Sequence, residues 1–399
     1  MSDIEKKIDE ILTRGVAEVI DKENIKKRLL GGERLRVKYG ADPTRPDLHL
    51  GHSVGMRKLK VLQELGHHII FIIGDYTSLI GDPSEKSKAR PMMTEEEIEV
   101  NAKTYFDQVG KILDVNKVEI KKNSEWFSKM TMADVIKLES KFTIARTLER
   151  DDFDKRLKAG TDIGNHEILY PMMQAYDSFI LNIDLEVEGN DQKFNCHAGR
   201  ELQGKMGKPK QDILLVPLLI GLDGKEKMSK SLDNYIGITE EPNSMFGKVM
   251  SIPDTSIANY FELCTDVPMD EIKEMEMDIK TEKKNPRDLK IKLAEEIVKI
   301  YHRKKEAQKA KDYFVDTFSK KETPENIPEV KVSKDNIKLT EFLVFSGNAD
   351  SLSDARRKIE QGGVEINNKK ETDWQRVLNK KDNGSTLKIG KYGFVKIKF

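Results

Sequence analysis

Apolar and polar residues along roughly the first 225 positions predict strands that alternate with helices. Short apolar runs typical of strands occur as LRVKYG (35–40), HHIIFIIG (67–74), LEVEG (185–189) and DILLVPLLI (212–220). The stretch between the first two has the period of a helix and stops at Gly66. Strand, helix and buried strand in this order predict a βαβ unit, and hence an α/β fold with a doubly wound parallel sheet.

The pattern changes further along the chain. Residues 4–30 predict one or two amphipathic helices, and residues 94–182 predict mostly helices. A helical, highly charged stretch runs over 243–318, and two short helices followed by three strands are predicted near the carboxyl terminus. We therefore predict an α/β domain at 1–225 with a helical insertion at about 105–170, an α-helical domain at 226–325, a linker at 326–336 and a small α+β domain at 337–399.

Composition narrows the class of protein. The chain has 69 Lys and Arg against 69 Asp and Glu, but residues 331–399 hold 15 against 9, so the last domain is basic. The longest apolar run, at 213–222, is too short to cross a bilayer, and the amino terminus lacks a signal-peptide core. With only two cysteines, the sequence predicts a cytoplasmic protein without a disulfide framework or a membrane partner.

The stretch PDLHLGH (46–52) holds two histidines three residues apart, which would suit a metal pair on a helix, core residues or an anion site. Pro43 and Pro46 exclude a helix over residues 43–46, so His49 lies in the loop and His52 just inside the next helix. A helix amino terminus after a parallel strand favours anions. The stretch HEILY (166–170) lacks the second histidine of a zinc motif, so we predict no protein metal site.

A lysine-rich loop, GKEKMSKS (224–231), follows the last buried strand. Taken alone it is typical of an exposed loop. An HxGH motif near the first strand together with KMSKS near the end of an α/β domain, however, resembles the class I aminoacyl-tRNA synthetases.

Further stretches resemble the bacterial-type tyrosyl-tRNA synthetases through nearly all of residues 1–330. They are YGADPTRPDLHLGH (39–52), IGDPSEKSKAR (80–90), YPMMQAYDSF (170–179), EGNDQKFN (188–195) and MFGKVMSIPD (245–254). The stretch SLSDARRKIEQGGVEIN (351–367) resembles an S-four-type RNA-binding fold. The resemblance implies a Rossmann-like catalytic domain, a KMSKS loop leading into a helical domain that binds the anticodon arm, and a terminal RNA-binding domain.

The implied reaction is attack of the tyrosine carboxylate on the α-phosphate of ATP, followed by transfer of tyrosyl to the terminal adenosine of tRNA(Tyr). The enzyme must align these groups and offset negative charge on the phosphates. The resemblance assigns phosphate and ribose contacts to His49, His52 and Thr44, pyrophosphate contacts to Lys227 and Lys230, and a second cation pair to Lys86 and Arg90. It assigns further ATP contacts to Gly40, Asp42, Gly51 and Asp191. For Lys86 and Arg90, an exposed basic loop is an equal alternative.

The tyrosine contacts follow from the same resemblance. Asp82, Tyr170 and Gln174 would bind the ammonium group, Gln192 would contact the substrate, and Asp177 would accept from the phenolic hydroxyl. A buried carboxylate left unpaired disfavours phenylalanine. Many bacterial relatives place a tyrosine two residues before Gly40, where this chain has Lys38. Either Lys38 lies near the phenol, or the pocket uses another donor.

The resemblance also implies partners. They are tRNA(Tyr), L-tyrosine and ATP with Mg²⁺ as substrates, and a second copy of the chain that docks through the helical insertion. Two alternatives stay open at this point. One is a tryptophanyl-tRNA synthetase, which shares the fold, and the other is a non-catalytic RNA-binding relative.

Overall fold

A six-stranded sheet forms the centre of the amino-terminal part of the chain. The computed structural model describes residues 2–44, 46–83, 93–319, 327–332, 335–349, 351–390 and 393–399. Its strands are β1 (Glu18–Ile20), β2 (Arg36–Ala41), β3 (His68–Ile73), β4 (Val118–Lys122), β5 (Leu185–Gly189) and β6 (Asp212–Val216). They lie in the order β1-β6-β5-β2-β3-β4, and every neighbouring pair is parallel except β1 with β6.

Helices pack around this sheet and continue beyond it. They are α1 (Asp3–Ile11), α2 (Lys22–Leu30), α3 (Leu50–Glu64), α4 (Glu95–Ala102), α5 (Tyr105–Val109), α6 (Ser124–Phe127), α7 (Met132–Glu139), α8 (Ile144–Leu148), α9 (Asp151–Lys158), α10 (Asn165–Ile180), α11 (Lys193–Lys205), α12 (Pro242–Ser251), α13 (Ile257–Cys264), α14 (Met269–Lys280), α15 (Pro286–Tyr301), α16 (Lys304–Ser319), α17 (Leu339–Phe345) and α18 (Leu352–Glu360). Among the described residues, none of the helices combines the length and the hydrophobicity that a membrane span requires.

The sheet reverses its direction of winding between β2 and β5. From β2 the chain proceeds through α3 to β3 and on to β4 at one edge, whereas β5 leads through α11 to β6 on the other side. Side chains of β3 and β6 are almost entirely buried, as their apolar runs require. In such a sheet a crevice opens at the carboxyl ends of the two strands where the winding reverses. The predicted α/β class with a doubly wound sheet is confirmed.

Two strands of this sheet differ from the sequence prediction. β1 lies within 4–30, where only helices were predicted, and it runs antiparallel to β6, so the sheet is mixed rather than wholly parallel. β4 lies within the predicted helical insertion and forms an edge of the sheet. Both are short and only half-buried, so neither has the continuous apolar run that marks β3 and β6.

The chain divides into two compact units, residues 1–240 with 251–301, and residues 241–250 with 302–399. In the second unit the strands are β7 (Glu329–Lys331), β8 (Asn336–Lys338), β9 (Val364–Ile366), β10 (Lys369–Glu371), β11 (Val377–Asn379), β12 (Thr386–Ile389) and β13 (Gly393–Lys398). Five form a sheet in the order β10-β9-β12-β13-β7, and β11 pairs with β8. Helices α17 and α18 contribute Leu339, Phe342 and Ile359 to a buried core with this sheet.

The stretch predicted to be a linker contains a strand. β7 pairs in parallel with β13, and Val330 packs against the core of the terminal α+β fold. A three-residue strand at the edge of a sheet is too short to give a period in the sequence.

Shortening a core side chain of β3 tests the position of this strand. Ile69 is fully buried between β2 and β4, so Ile69→Ala should lower the free energy of unfolding by about 2–5 kcal/mol through lost burial and a residual cavity. Urea unfolding followed by Trp126 fluorescence in a Trp374→Phe background reports on the first unit alone. The matched control is Ile4→Ala, since Ile4 is exposed. Equal destabilisation by both changes would contradict the assigned register.

Candidate active site

A cavity of about 550 Å³ lies at the carboxyl edge of the sheet, at the ends of β2, β3, β5 and β6. It brings together every site residue predicted from the sequence that lies within the described ranges. These residues are Lys38, Gly40, Asp42, Thr44, His49, Gly51, His52, Asp82, Tyr170, Gln174, Asp177, Asp191, Gln192, Lys227 and Lys230. Lys86 and Arg90 lie outside the described residues.

The two histidines form the mouth of α3. His49 precedes the helix with extended backbone, and His52 Nδ1 accepts a hydrogen bond from the His49 backbone N–H at 3.3 Å. Their ring centroids are 3.9 Å apart. Burial, with the positive charges of Lys230 and Lys227, lowers the pKa of His49 well below its usual value and that of His52 to about 3. Both rings are therefore neutral at pH 7 and act as hydrogen-bond donors rather than as cations.

The cationic side of this mouth comes from the lysine loop. Lys227 Nζ donates to Asp191 Oδ2 at 2.8 Å, and Lys230 Nζ lies 5.9 Å from the centroid of the Tyr105 ring. The backbone N–H of Ser229 donates to Asn234 Oδ1 at 2.8 Å, which fixes the loop locally. Two neutral donors and two ammonium groups thus line one end of the cavity, a combination that suits phosphate oxygens.

Polar groups at another part of the cavity are linked through Asp82. Its carboxylate accepts from Gln192 Nε2 at 2.7 Å and from Arg150 Nη2 at 3.2 Å. Asn195 Nδ2 donates to Gln192 Oε1 at 2.7 Å and to Gln174 Oε1 at 3.0 Å. Carboxylate and amide oxygens are therefore held in fixed directions, as the recognition of an ammonium group requires.

Tyr170 and Asp42 connect this network to the end of β2. The Tyr170 hydroxyl donates to Asp42 Oδ2 at 2.9 Å, and Thr77 Oγ1 donates to Asp42 Oδ1 at 2.8 Å. Gly74, the residue after β3, approaches so closely that a Cβ there would lie 2.0 Å from Asp42 Oδ1. Only glycine leaves space for this carboxylate.

Asp177 is a buried acceptor in the middle of α10. Trp126 Nε1 donates to its Oδ1 at 2.9 Å, and Asn123 Nδ2 lies 3.4 Å from its Oδ2. Burial raises the pKa of Asp177 to about 7, against the opposing effect of the nearby Lys38 ammonium. A neighbouring hydroxyl that donates to the ionised form would find a low-polarity site with a strong acceptor.

Lys38 and Tyr39 point to opposite faces of β2, as the alternation of a strand requires. Tyr39 stacks on Phe71 with ring centroids 5.8 Å apart and lies against Gly55 of α3. On the other face, the Lys38 ammonium donates to Glu186 Oε1 of β5 at 2.7 Å and to Ser178 Oγ of α10 at 2.9 Å. The sequence left two options for this pocket, either Lys38 near the phenol or another donor. In the structure, Trp126 and Asn123 donate to Asp177.

Sequence reasoning missed several residues of this network. They are Gly74, Thr77, Asn123, Trp126, Arg150 and Asn195. Two had a local signal, since Gly74 directly follows a buried strand and Asn195 lies one helical turn after Gln192. Arg150, Asn123 and Trp126 had none, because their partners lie 51–68 residues away in the chain. Within the described ranges, no group of three or more His, Cys, Asp or Glu side chains is placed to hold a metal ion.

Class I aminoacyl-tRNA synthetases are built on a sheet of this type, and a family profile described as tRNA synthetases class I (W and Y) matches residues 31–319. A second profile, described as the tyrosine–tRNA ligase SYY-like C-terminal domain, matches residues 320–391. The chain belongs to the tyrosine–tRNA ligase family.

Individual relatives agree with these profiles. The chain is 50% identical over 399 residues to a tyrosine–tRNA ligase of Carboxydothermus hydrogenoformans, with 98% of this chain and 97% of the relative covered. It is 46% identical over 387 residues to one of Thermotoga maritima, with 97% and 96% covered. The solved tyrosyl-tRNA synthetase of Archaeoglobus fulgidus, complexed with L-tyrosine, matches with a TM-score of 0.62 and 26% identity over 77% of this chain and 100% of that chain.

Titration of Asp177 gives a testable pH dependence. Its pKa of about 7 in the folded chain exceeds the value of about 3.9 expected in the unfolded chain. The folded state therefore binds more protons between about pH 4 and 7, and its stability falls as the pH rises through this window. The free energy of unfolding of the unsubstituted chain should therefore fall between pH 5 and pH 8. Asp177→Asn should reduce this fall by on the order of a few kcal/mol.

Urea unfolding at pH 5 and pH 8 measures this difference. The control is Asp270→Asn, since Asp270 is fully exposed, and it should keep the pH dependence of the unsubstituted chain. Parallel pH dependences for Asp177→Asn and the unsubstituted chain would show that Asp177 titrates at its ordinary pKa.

Proposed function

We propose that this chain activates L-tyrosine with ATP to tyrosyl-adenylate and pyrophosphate, and then transfers the tyrosyl group to the terminal adenosine of tRNA(Tyr) for protein synthesis. One observation carries the proposal: a single cavity joins an anion-binding helix mouth and its facing lysines to a buried carboxylate that suits a phenol. The chain supplies alignment and charge, because the tyrosine carboxylate is itself the nucleophile.

At the phosphate end, charge is offset from two sides. His49 and His52 donate hydrogen bonds from the start of α3, while Lys227 and Lys230 place positive charge opposite them. Charge that develops on the α-phosphate and on the leaving pyrophosphate is thus offset by groups already in place. Thr44, Gly40, Gly51 and Asp191 add contacts to the nucleotide in this proposal.

Further contacts to the nucleotide are also proposed. Lys86 and Arg90 add a second pair of cations. Mg²⁺ enters bound to the phosphates of ATP, as part of the substrate.

At the amino-acid end, Asp82, Tyr170 and Gln174 orient the ammonium group of tyrosine, with Gln192 beside them. Asp177 accepts a hydrogen bond from the phenolic hydroxyl. Phenylalanine has the same ring but leaves this acceptor without the hydroxyl, and an unpaired buried polar group is costly. The pocket therefore selects tyrosine by a polar contact rather than by size alone.

The remaining parts of the chain fit a tRNA substrate. We propose that the charged helices after the KMSKS loop contact the anticodon arm, and that the basic terminal domain binds the RNA backbone through α18 and the turn at residues 361–363. Gly362 has a positive φ of 68°, which suits such a tight turn. The proposed location is the cytoplasm, where tRNA is charged.

ATP–pyrophosphate exchange tests the activity and its amino-acid specificity together. We expect exchange with tyrosine and none with tryptophan or phenylalanine. Exchange that requires tryptophan would instead indicate a tryptophanyl-tRNA synthetase. Absence of exchange with any amino acid would favour a non-catalytic RNA-binding role.

Removing one lysine of the loop tests the charge-offset mechanism. Lys230→Ala should lower the exchange rate by about 10²-fold or more, because one donor at a developing charge is worth several kcal/mol, whereas tRNA binding in a filter assay should be unchanged. Lys225→Ala is the matched control, since Lys225 is exposed on the same loop and does not line the cavity. Similar rates for Lys230→Ala and Lys225→Ala would refute the role of Lys230.

We also propose that two copies of the chain pair through the insertion. Support comes from apolar side chains that it exposes: Met132, Ile136 and Ile144 are 74%, 60% and 66% accessible. A second cavity of about 610 Å³ borders Trp126, Tyr176 and neighbouring helices. Met132 and Ile136 lie one helical turn apart on α7, and neighbouring exposed apolar groups are typical of an interaction surface.

Light scattering should give twice the chain mass of 45.7 kDa. Ile136→Glu should shift the mass toward a single chain, because it buries a charge in the interface, whereas Ile4→Glu at another exposed position should not. A mass of 45.7 kDa for the unsubstituted chain would exclude the dimer.

A further inference from the structure

Lys38 is a fully buried cation whose hydrogen-bonding capacity is used by the protein itself. Its side chain is 1% exposed. Its Nζ donates to Glu186 Oε1 at 2.7 Å, to Ser178 Oγ at 2.9 Å and to the Gln174 carbonyl at 3.2 Å. An ammonium group has three N–H donors, and these three acceptors account for all of them. Lys38 therefore has no donor left for a substrate.

These contacts tie three elements together. Lys38 on β2 and Glu186 on β5 are direct neighbours in the register of the parallel pair. The other two acceptors belong to α10, where residues 174 and 178 lie on either side of Asp177. Glu186 also accepts from Gln174 Nε2 at 3.2 Å. The buried pair thus links the strands at the reversal of the sheet to the helical turn that carries Asp177.

Asp177 lies among groups from β2, from the loop after it and from the region after β4, while Glu186 of β5 is paired with Lys38. From β2 and the loop after it come the Lys38 ammonium, which favours ionised Asp177, and the Asp42 carboxylate, which opposes ionisation. From the region after β4 come two neutral donors, Trp126 and Asn123. Lys38 is the one cation among these groups, and burial acts against the carboxylate.

We infer that Lys38 is a positioning residue for tyrosine recognition, which together with Glu186 holds the middle of α10 and keeps a positive charge beside Asp177, so that this carboxylate stays an acceptor. The inference deepens the proposed function and rests on it. In this role Lys38 contacts groups of the protein and does not contact the phenol directly. Specificity for a hydroxylated ring then depends on a cation that the substrate never touches.

A double substitution tests this role without leaving a lone buried charge. Lys38→Met with Glu186→Gln removes both charges and keeps the approximate volumes, since breaking only one side of a buried pair is far more disruptive. The measurement is kcat/KM for tyrosine in ATP–pyrophosphate exchange between pH 5.5 and 9. This profile should rise with pH as Asp177 ionises in the free enzyme.

In the double variant we expect the rising limb to move to higher pH by about one unit, because a nearby opposite charge has been lost. At pH 7 the KM for tyrosine should then rise by up to about tenfold, since one unit of pKa is a tenfold change in protonation, with the KM for ATP unchanged. Lys38→Gln with Glu186→Gln gives a second test if the first double variant folds poorly. It also removes both charges but keeps a side-chain N–H donor for the Ser178 and Gln174 acceptors, and its limb should move in the same direction.

Arg156→Met with Glu167→Gln is the matched control. This pair is also buried, joins through a 2.7 Å contact and anchors the first turn of α10, but it is absent from the charges that act on Asp177. In this control variant the rising limb of kcat/KM for tyrosine should stay at the pH of the unsubstituted chain. An unmoved limb in the Lys38 double variant, or an equal shift in the Arg156 control, would overturn the inference. Failure of the proposed function itself would be seen earlier, as absence of tyrosine-dependent exchange in the unsubstituted chain.

Discussion

The parallel pairing of β2 with β5 extends only over Val37 and Lys38. Beyond them the Gly40 N–H donates to the side chain of Glu188, at 2.8 Å, instead of to a strand carbonyl. Burial and the neighbouring Glu186 raise the pKa of Glu188 well above its usual range. Because the two strands part here, a crevice opens between their carboxyl ends, and the binding groups of the chain are arranged around it.

Two chemically different ends result from this opening. The end of β2 leads into the helix mouth with its neutral histidines, and the end of β5 leads to Asp191 and Gln192, which connect to the lysine loop and to Asp82. The end proposed for the amino acid is closed by α10, which contributes Tyr170, Gln174 and Asp177 from successive turns. The cavity thus has one end that suits phosphate and one that suits an ammonium group and a phenol, and Asp42, which accepts from Tyr170, links the two ends.

Much of this arrangement could be predicted from the sequence, for reasons that particular residues illustrate. β3 and β6 have continuous apolar runs, and the prolines before His49 fix where α3 can begin. β1 and β4 escaped prediction because short, half-buried strands carry little periodicity. The partners of Asp177 and Asp82 escaped because Trp126 and Arg150 come from a distant segment, and pairing across such a distance leaves no local pattern. The sequence shows that Lys38 replaces the tyrosine of many bacterial relatives, but only its contacts show which groups its ammonium binds.

The start of α3 has a consequence for the chemistry of its second histidine. His52 Nδ1 accepts the backbone hydrogen bond of residue 49, and the ring is neutral at pH 7. A neutral imidazole carries one proton, so the proton of His52 must be on Nε2. Helix formation therefore selects the tautomer of this ring before any ligand arrives, and the N–H that it can offer to a phosphate oxygen is the one on Nε2.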